Sequence, residues 1–194
     1  MDALTHAVES VVNPDANPVG IALGLQSIRM IKDNLPKVVA NGSDLVARQN
    51  MLAASTLAGI ALNTGLGIAH CYSHTVGTLF GLHHGTGCGI ALPAAMRFNR
   101  DFATTRLVEV AIALGVDTHD MSAVAAAEAA ADAVEALMKQ IGQPRCLSEL
   151  VAGDQIEAQF EQFVTGVMSD PSTMFNPRPV NDPVAVAEFV QSTI

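Results

Sequence analysis

An all-α fold is predicted for this chain, on three observations. Apolar residues recur at helical spacing, as in Ile21, Leu25, Ile28 and Ile31, and no sustained period-two run rich in Val, Ile, Thr and aromatics occurs. Of 194 residues, 49% are hydrophobic, enough to bury a core of helices. Proline, asparagine and glycine cluster between the apolar segments, as at Asn13-Pro14-Asp15-Ala16-Asn17-Pro18. With no internal repeat or low-complexity linker, residues 1–194 read as one helical bundle.

The elements follow in order. A first helix is expected over Ala3 to Val11, stopping near Asn13-Pro14, and a second from Val19 to just before Pro36. Asn41-Gly42-Ser43-Asp44 reads as a turn, with Ser43 or Asp44 capping a helix from Leu45 to Leu62. Ile68 to Phe80 is the next helix, followed by a histidine and glycine turn over residues 81–89. Separate helices are expected at Ile90 to Phe98, with Pro93 tolerated in a first turn, and at Phe102 to Leu114, closed by Gly115. Ser122 to Ile141 is alanine-rich, carries Glu128, Asp132 and Glu135 on a polar face, and stops at Gly142 before Pro144. Asp154 to Met168 and Pro183 to Val190 complete the set.

Charge and cysteine usage exclude several functions. With 10 Lys+Arg against 19 Asp+Glu the formal charge is −9, and no basic cluster exists to neutralise phosphates, so no nucleic acid is expected as a partner. Three cysteines, Cys71, Cys88 and Cys146, without a repeated spacing argue against a disulfide framework and for a reducing, cytoplasmic setting. The opening Met1-Asp2-Ala3-Leu4-Thr5-His6 has an acid and a histidine where an export signal needs basic and apolar residues. From Gln49 to Met96 there is no charged side chain. Ser55, Thr56, Asn63, Thr64 and three glycines nevertheless make Met51 to Ala69 a buried central helix rather than a membrane span.

Four of the six histidines, His70, His74, His83 and His84, fall inside this uncharged stretch. Asp2 and His6 are four residues apart, so on one helix both project from the same face. His70 and His74 share that spacing, and His84 lies past Gly81, where the chain can turn back toward His70. Three short segments can thus converge on one cation. An aspartate with three imidazoles suits iron(II) or zinc, whereas calcium and magnesium want more oxygens. The same spacings also suit a hydrogen-bonded histidine pair in a core, and Asp2 alone suits a helix cap.

The segments Asp2-Ala3-Leu4-Thr5-His6-Ala7-Val8-Glu9, His70-Cys71-Tyr72-Ser73-His74, His83-His84-Gly85 and Leu92-Pro93-Ala94-Ala95-Met96-Arg97-Phe98-Asn99 closely resemble the iron-containing (group III) alcohol dehydrogenases in order and spacing. Ile141-Gly142-Gln143-Pro144-Arg145-Cys146 and the stretch from Asp170 to Pro179 look like that family's later loop and tail. The resemblance implies that Asp2, His6, His70 and His84 bind one divalent metal, Fe2+ or Zn2+. It implies that His74 lines the cleft beside the nicotinamide and helps relay a proton as a catalytic residue. His83, where many members have proline, is expected beside the site, with ligand exchange against His84 as the alternative. Cys71 and Cys88 are expected as buried thiols.

The family's design pairs an N-terminal nucleotide-binding α/β domain with a helical metal domain. This chain begins at the first metal motif, and Gly85-Thr86-Gly87-Cys88-Gly89 lacks the preceding strand that a dinucleotide loop requires. The expectation is the C-terminal metal domain alone, with NAD or NADP bound by an absent N-terminal domain and little turnover by the chain itself. Its partners are a small alcohol or aldehyde, and a homo-oligomer or a separate nucleotide-binding domain, with no membrane. The maleylacetate reductases also resemble residues 13–19 and the His-x-x-x-His pair, but many replace the first aspartate and need no metal. A further alternative is an inactive helical remnant or docking module.

Overall fold

The structure is a computed structural model and describes residues 1–194, the side chain of Thr64 aside. Eight α-helices carry the chain, and no strand occurs among the described residues: α1 (Asp2–Val12), α2 (Pro18–Ala40), α3 (Leu45–Ala61), α4 (Ile68–Phe80), α5 (His84–Ala113), α6 (Ala123–Ile141), α7 (Gly153–Ser169) and α8 (Pro183–Gln191). The all-α expectation holds. The caps explain the boundaries. Asn17 accepts from the Gly20 amide ahead of Pro18, Asp44 rather than Ser43 accepts from Ala47, and Ser122 accepts from Ala125. Gly81 and Gly142 end α4 and α6 in the left-handed region, both at φ 68°.

The core has two parts that meet along α5. One joins α1, α2, α3 and α6 to the C-terminal half of α5 around Leu4, Ile28, Leu107 and Met138. The other joins α4, α7 and α8 to its N-terminal half around Tyr72, Phe163 and Phe189. Thr193 Oγ1 donates to the Tyr72 hydroxyl at 3.1 Å, so this large ring is buried without an orphaned oxygen.

Three expectations need correction. Pro36 does not stop α2, which continues to Ala40. The proline removes one partner, that of the Lys32 carbonyl, and Lys32 is exposed, so the loss falls where water can serve it. The expected turn over residues 81–89 shrinks to 81–83: α5 begins at His84 and absorbs both expected helices, bending where Ala103 leaves helical geometry (φ −133°, ψ 26°). Pro93 therefore sits in the helix interior. Tertiary packing overrides the glycine propensity here. A Cβ on Gly87 would stand 2.8 Å from Ser73 Oγ, and one on Gly89 2.8 Å from Gln143 Nε2, so hydrogen side chains let α5 lie directly against α4 and against the segment after α6.

The third correction concerns the uncharged stretch. It is split among α3, α4 and the start of α5, and α3 is not a buried central helix: it buries Ala47, Ala54, Ala58 and Ala61 but exposes Leu45, Val46, Leu52 and Ile60. Lack of charge reflects small residues on one face and uncharged residues on the other, which periodicity alone cannot tell from burial. Among the described residues, no helix is long and apolar enough to cross a membrane.

Candidate metal centre

Three helices deliver the site. On α1, Asp2, His6 and Glu9 stand at positions i, i+4 and i+7 and so share one face. From α4 come His70, Ser73 and His74, and the first turns of α5 bring His84 and Cys88. The close approach at Gly87 carries the start of α5 over Ser73, whose hydroxyl donates to the His84 carbonyl at 2.6 Å.

One oxygen is the focus of the site. Asp2 Oδ1 lies 3.5 Å from His6 Nε2, 3.4 Å from His70 Nε2 and 3.4 Å from His84 Nε2. The rings gather round it, His6 stacked on His70 at 4.7 Å and His84 tilted to His70 at 5.3 Å. His70 Nε2 is buried and makes no hydrogen bond. An orphaned ring nitrogen aimed at a carboxylate is a lone pair awaiting a Lewis acid or a proton.

The other ring nitrogens are already engaged, and this fixes which way the lone pairs face. His70 Nδ1 donates to Glu9 Oε2 at 2.6 Å, and Glu9 is held as an acceptor by the amides of Gly67 and Ala69, both at 2.8 Å. At His84, Nδ1 lies 3.1 Å from Ser73 Oγ, whose own proton goes to the His84 carbonyl, so the ring donates there. In both rings Nε2 is left to face Asp2, the orientation that outer hydrogen bonds impose on metal-ligating imidazoles.

Electrostatics state the same requirement. The His70 ring, 3.4 Å away, does most to hold the Asp2 carboxyl far below the usual range against the opposing effect of burial. Burial pulls the His70 imidazolium down, but Asp2, Cys88 and Glu9 outweigh it and push its pKa up to about 12. His6 and His84 are lowered, chiefly by burial, and so stay neutral near pH 7. Two carboxylates thus enclose room for positive charge beside two neutral imidazoles. A divalent cation in place of the His70 proton fits that field.

The distances support such an ion. With metal–nitrogen and metal–oxygen bonds of about 2.1 Å, two donors on a tetrahedral ion stand about 3.4 Å apart, matching the Asp2–histidine separations. The three expected imidazoles therefore each come within 3.5 Å of Asp2 Oδ1, and those of His70 and His84 also lie within 4.8 Å of each other. His83 does not: it is exposed at the cap of α5, its carbonyl accepting from the amides of Thr86 and Gly87. Nothing in its placement favours exchange with His84. His74 stacks on His84 at 5.3 Å and gives Nδ1 to Asp170 Oδ2 at 2.7 Å, at the mouth of a cleft of about 240 Å³ that Thr78, Leu79 and Gln162 also line.

The description "Fe-containing alcohol dehydrogenase family, C-terminal" matches residues 1–191. This chain belongs to the Fe-containing alcohol dehydrogenase family. It is 38% identical over 193 residues to the 1,3-propanediol dehydrogenase of Citrobacter freundii, covering 99% of this chain and 49% of that protein. To the NAD-dependent methanol dehydrogenase of Bacillus methanolicus it is 37% identical over 179 residues, 92% of this chain and 46% of the relative. The chain thus spans about half the length of these relatives. The crystal structure of a 1,3-propanediol oxidoreductase matches with a TM-score of 0.94 at 36% identity, over 100% of this chain and 50% of that one. An alcohol dehydrogenase from Oenococcus oeni matches with a TM-score of 0.95 at 31% identity, over the same shares of the two chains.

Sequence reasoning missed most of the residues that hold the site's histidines. Glu9 was legible, since it falls on the Asp2–His6 face one turn further on. Ser73 and Asp170 were not, because their partners are 11 and 96 residues away. Nor was the buried Asn99–Asn176 pair, in which each amide donates to the other, at 3.0 and 2.7 Å. Asn176 also accepts from the Ile68 amide and so fixes the start of α4, next to the amides that Glu9 captures.

Proposed function

We propose that this chain is the metal-binding part of a nicotinamide-dependent alcohol dehydrogenase that interconverts a small alcohol and its aldehyde. The convergence of Asp2, His6, His70 and His84, with His70 Nε2 buried and unpartnered, carries the reading. These four residues would hold iron(II) or zinc. Such an ion, when bound, supplies Lewis acidity toward an alcohol oxygen, while NAD or NADP as hydride acceptor belongs to a nucleotide-binding part outside this chain.

The chain's own residues supply orientation and a proton path. Glu9 and Ser73 fix the His70 and His84 rings so that nothing need reorganise when substrate arrives. His74 is the proton-handling residue. Its Nδ1 is committed to Asp170, which leaves Nε2 for the hydroxyl proton, and its exposure beside the cleft gives that proton a way to solvent. Asp170 steadies the imidazolium formed in passing. Asp2 at the meeting point of three imidazoles favours this reading over the metal-free maleylacetate reductase branch.

The test is elemental analysis of chain purified without chelator, beside Asp2→Ala and His70→Ala variants of unchanged helical content. Stoichiometric iron or zinc in the parent, lost in both variants, supports the proposal. No metal in the parent, even after anaerobic iron(II) or zinc addition, reduces the chain to an inactive helical relative. Mixing with a nucleotide-binding domain of a relative and assaying alcohol oxidation then tests the partner.

A further inference from the structure

Of the three cysteines, only Cys88 shares the space around Asp2. Its Sγ lies 3.7 Å from Asp2 Oδ1 and 3.5 Å from His84 Nε2. The candidate ligand atoms of Asp2, His70, His84 and Cys88 all fall within 4.8 Å of one another, a group that does not include His6. Cys71, by contrast, points away, its thiol on the Gly67 carbonyl at 3.3 Å.

The placement has a local cause. Cys88 follows His84 by four residues on α5, so both side chains leave the helix on one face. The close packing of α5 on α4 at Gly87 then turns that face toward His70. A thiolate donor forms a bond of about 2.3 Å to zinc, against about 2.1 Å for nitrogen, so sulfur and nitrogen on one tetrahedral ion stand about 3.6 Å apart. The observed separations of 3.5 and 3.7 Å bracket that value. The buried and unpartnered Nε2 of His70 is the independent sign that this pocket is built to receive a Lewis acid.

We propose that Cys88 is itself a metal ligand, so that Asp2, His70, His84 and Cys88 form a four-donor set selective for zinc over iron(II). The proposal rests on the reading above that the site holds a divalent ion. Two donor sets then overlap on Asp2, His70 and His84, completed by His6 in one and by Cys88 in the other. The His6 set offers nitrogen and oxygen only, which suits iron(II). The Cys88 set adds a soft sulfur, which favours zinc, and with four protein donors it closes the ion off from substrate. On binding, the Cys88 thiol releases its proton to solvent.

Cobalt(II) reports on this directly. The metal-stripped full chain is titrated with cobalt(II) alone, and the absorption spectrum is followed without any assay of activity. A near-ultraviolet thiolate-to-cobalt charge-transfer band is expected in the parent and in Cys71→Ala, and is expected to vanish in both Cys88→Ser and Cys88→Ala. Zinc affinity should fall about 100-fold in the Cys88 variants, while iron(II) affinity moves by less than about threefold. Visible cobalt bands in the parent without the near-ultraviolet band would overturn the role of Cys88 and leave the metal site standing. Absence of any cobalt binding would overturn both.

Discussion

His70 and His74 stand one turn apart on α4, and each gives its Nδ1 to a carboxylate: His70 to Glu9 at 2.6 Å and His74 to Asp170 at 2.7 Å. Their surroundings differ far more than their lengths. The side chains of the first pair are 1% and 4% exposed, those of the second 44% and 11%. A buried pair keeps its geometry because breaking it leaves a charge without water, whereas an exposed one is screened and exchanges freely. The same chemical unit therefore frames the metal donors at one place and handles protons at the other.

The largest expected effect breaks the buried pair. Glu9 accepts from the Gly67 and Ala69 amides and from His70 Nδ1, and Glu9→Gln turns an NH₂ donor toward donors. The metal-free chain should lose about 3 kcal/mol of stability in urea unfolding, and metal affinity should fall about 10- to 100-fold. A loss below about 1 kcal/mol would mean that the buried pair does not frame the site.

The next effect tests the support behind that frame. Asn99→Ala strips partners from the Asn176 side chain and from the Arg178 amide, all at buried or partly buried positions. A loss of about 2 kcal/mol is expected, with faster hydrogen exchange at the Ile68 amide that Asn176 holds. Unchanged exchange there would sever the link between this pair and the start of α4.

At the exposed pair the order of effects reverses. Asp170→Asn should change stability by less than about 1 kcal/mol, since His74 is solvated and the surrounding charge is screened. Alcohol oxidation by the chain joined to a nucleotide-binding domain should nevertheless fall about tenfold or more, because His74 loses the carboxylate that steadies its charged form. A variant that keeps full activity would remove Asp170 from the proton path.

What the sequence revealed follows the range of each interaction. The i, i+4 spacings of Asp2–His6 and His70–His74 are local and survive as geometry in the structure. Their convergence depends on α5 starting at His84, which a run of glycines conceals: propensity reads Gly85, Gly87 and Gly89 as a turn, while packing against Ser73, Val76 and Gln143 makes them a helix. The exposure of α3 was hidden because the absence of charge marks both cores and uncharged surfaces. Asp170 was hidden for a different reason. As the cap of the short turn at Pro171–Phe175 it already had a local explanation, with the Ser172 amide at 2.8 Å, and nothing in the sequence announces its second partner.

The smallest effect separates the two pairs by pH. In the metal-free chain, against the pull of burial, Asp2, then Cys88 and Glu9, raise His70 from its ordinary 6.5 to about 12, so the stability its charge contributes is complete below about pH 6.5 and lost only as pH climbs through about 12. Asp170 is shifted the other way. Burial opposes its ionisation, but hydrogen bonds from Ser172 and His74 outweigh it and hold the carboxyl below its ordinary 3.8. A depressed carboxyl stabilises the fold above that ordinary value, and the contribution disappears as pH falls through the lower, folded-state value. Acidification from pH 5 toward pH 3 should therefore weaken the parent by a solvent-screened amount below about 1 kcal/mol that Asp170→Asn no longer shows. Urea midpoints of the two proteins across that range supply the measurement. Equal slopes would mean that Ser172 and His74 stabilise the charged Asp170 no better than water does, and the contrast between a rigid pair and a labile one would then rest on burial alone.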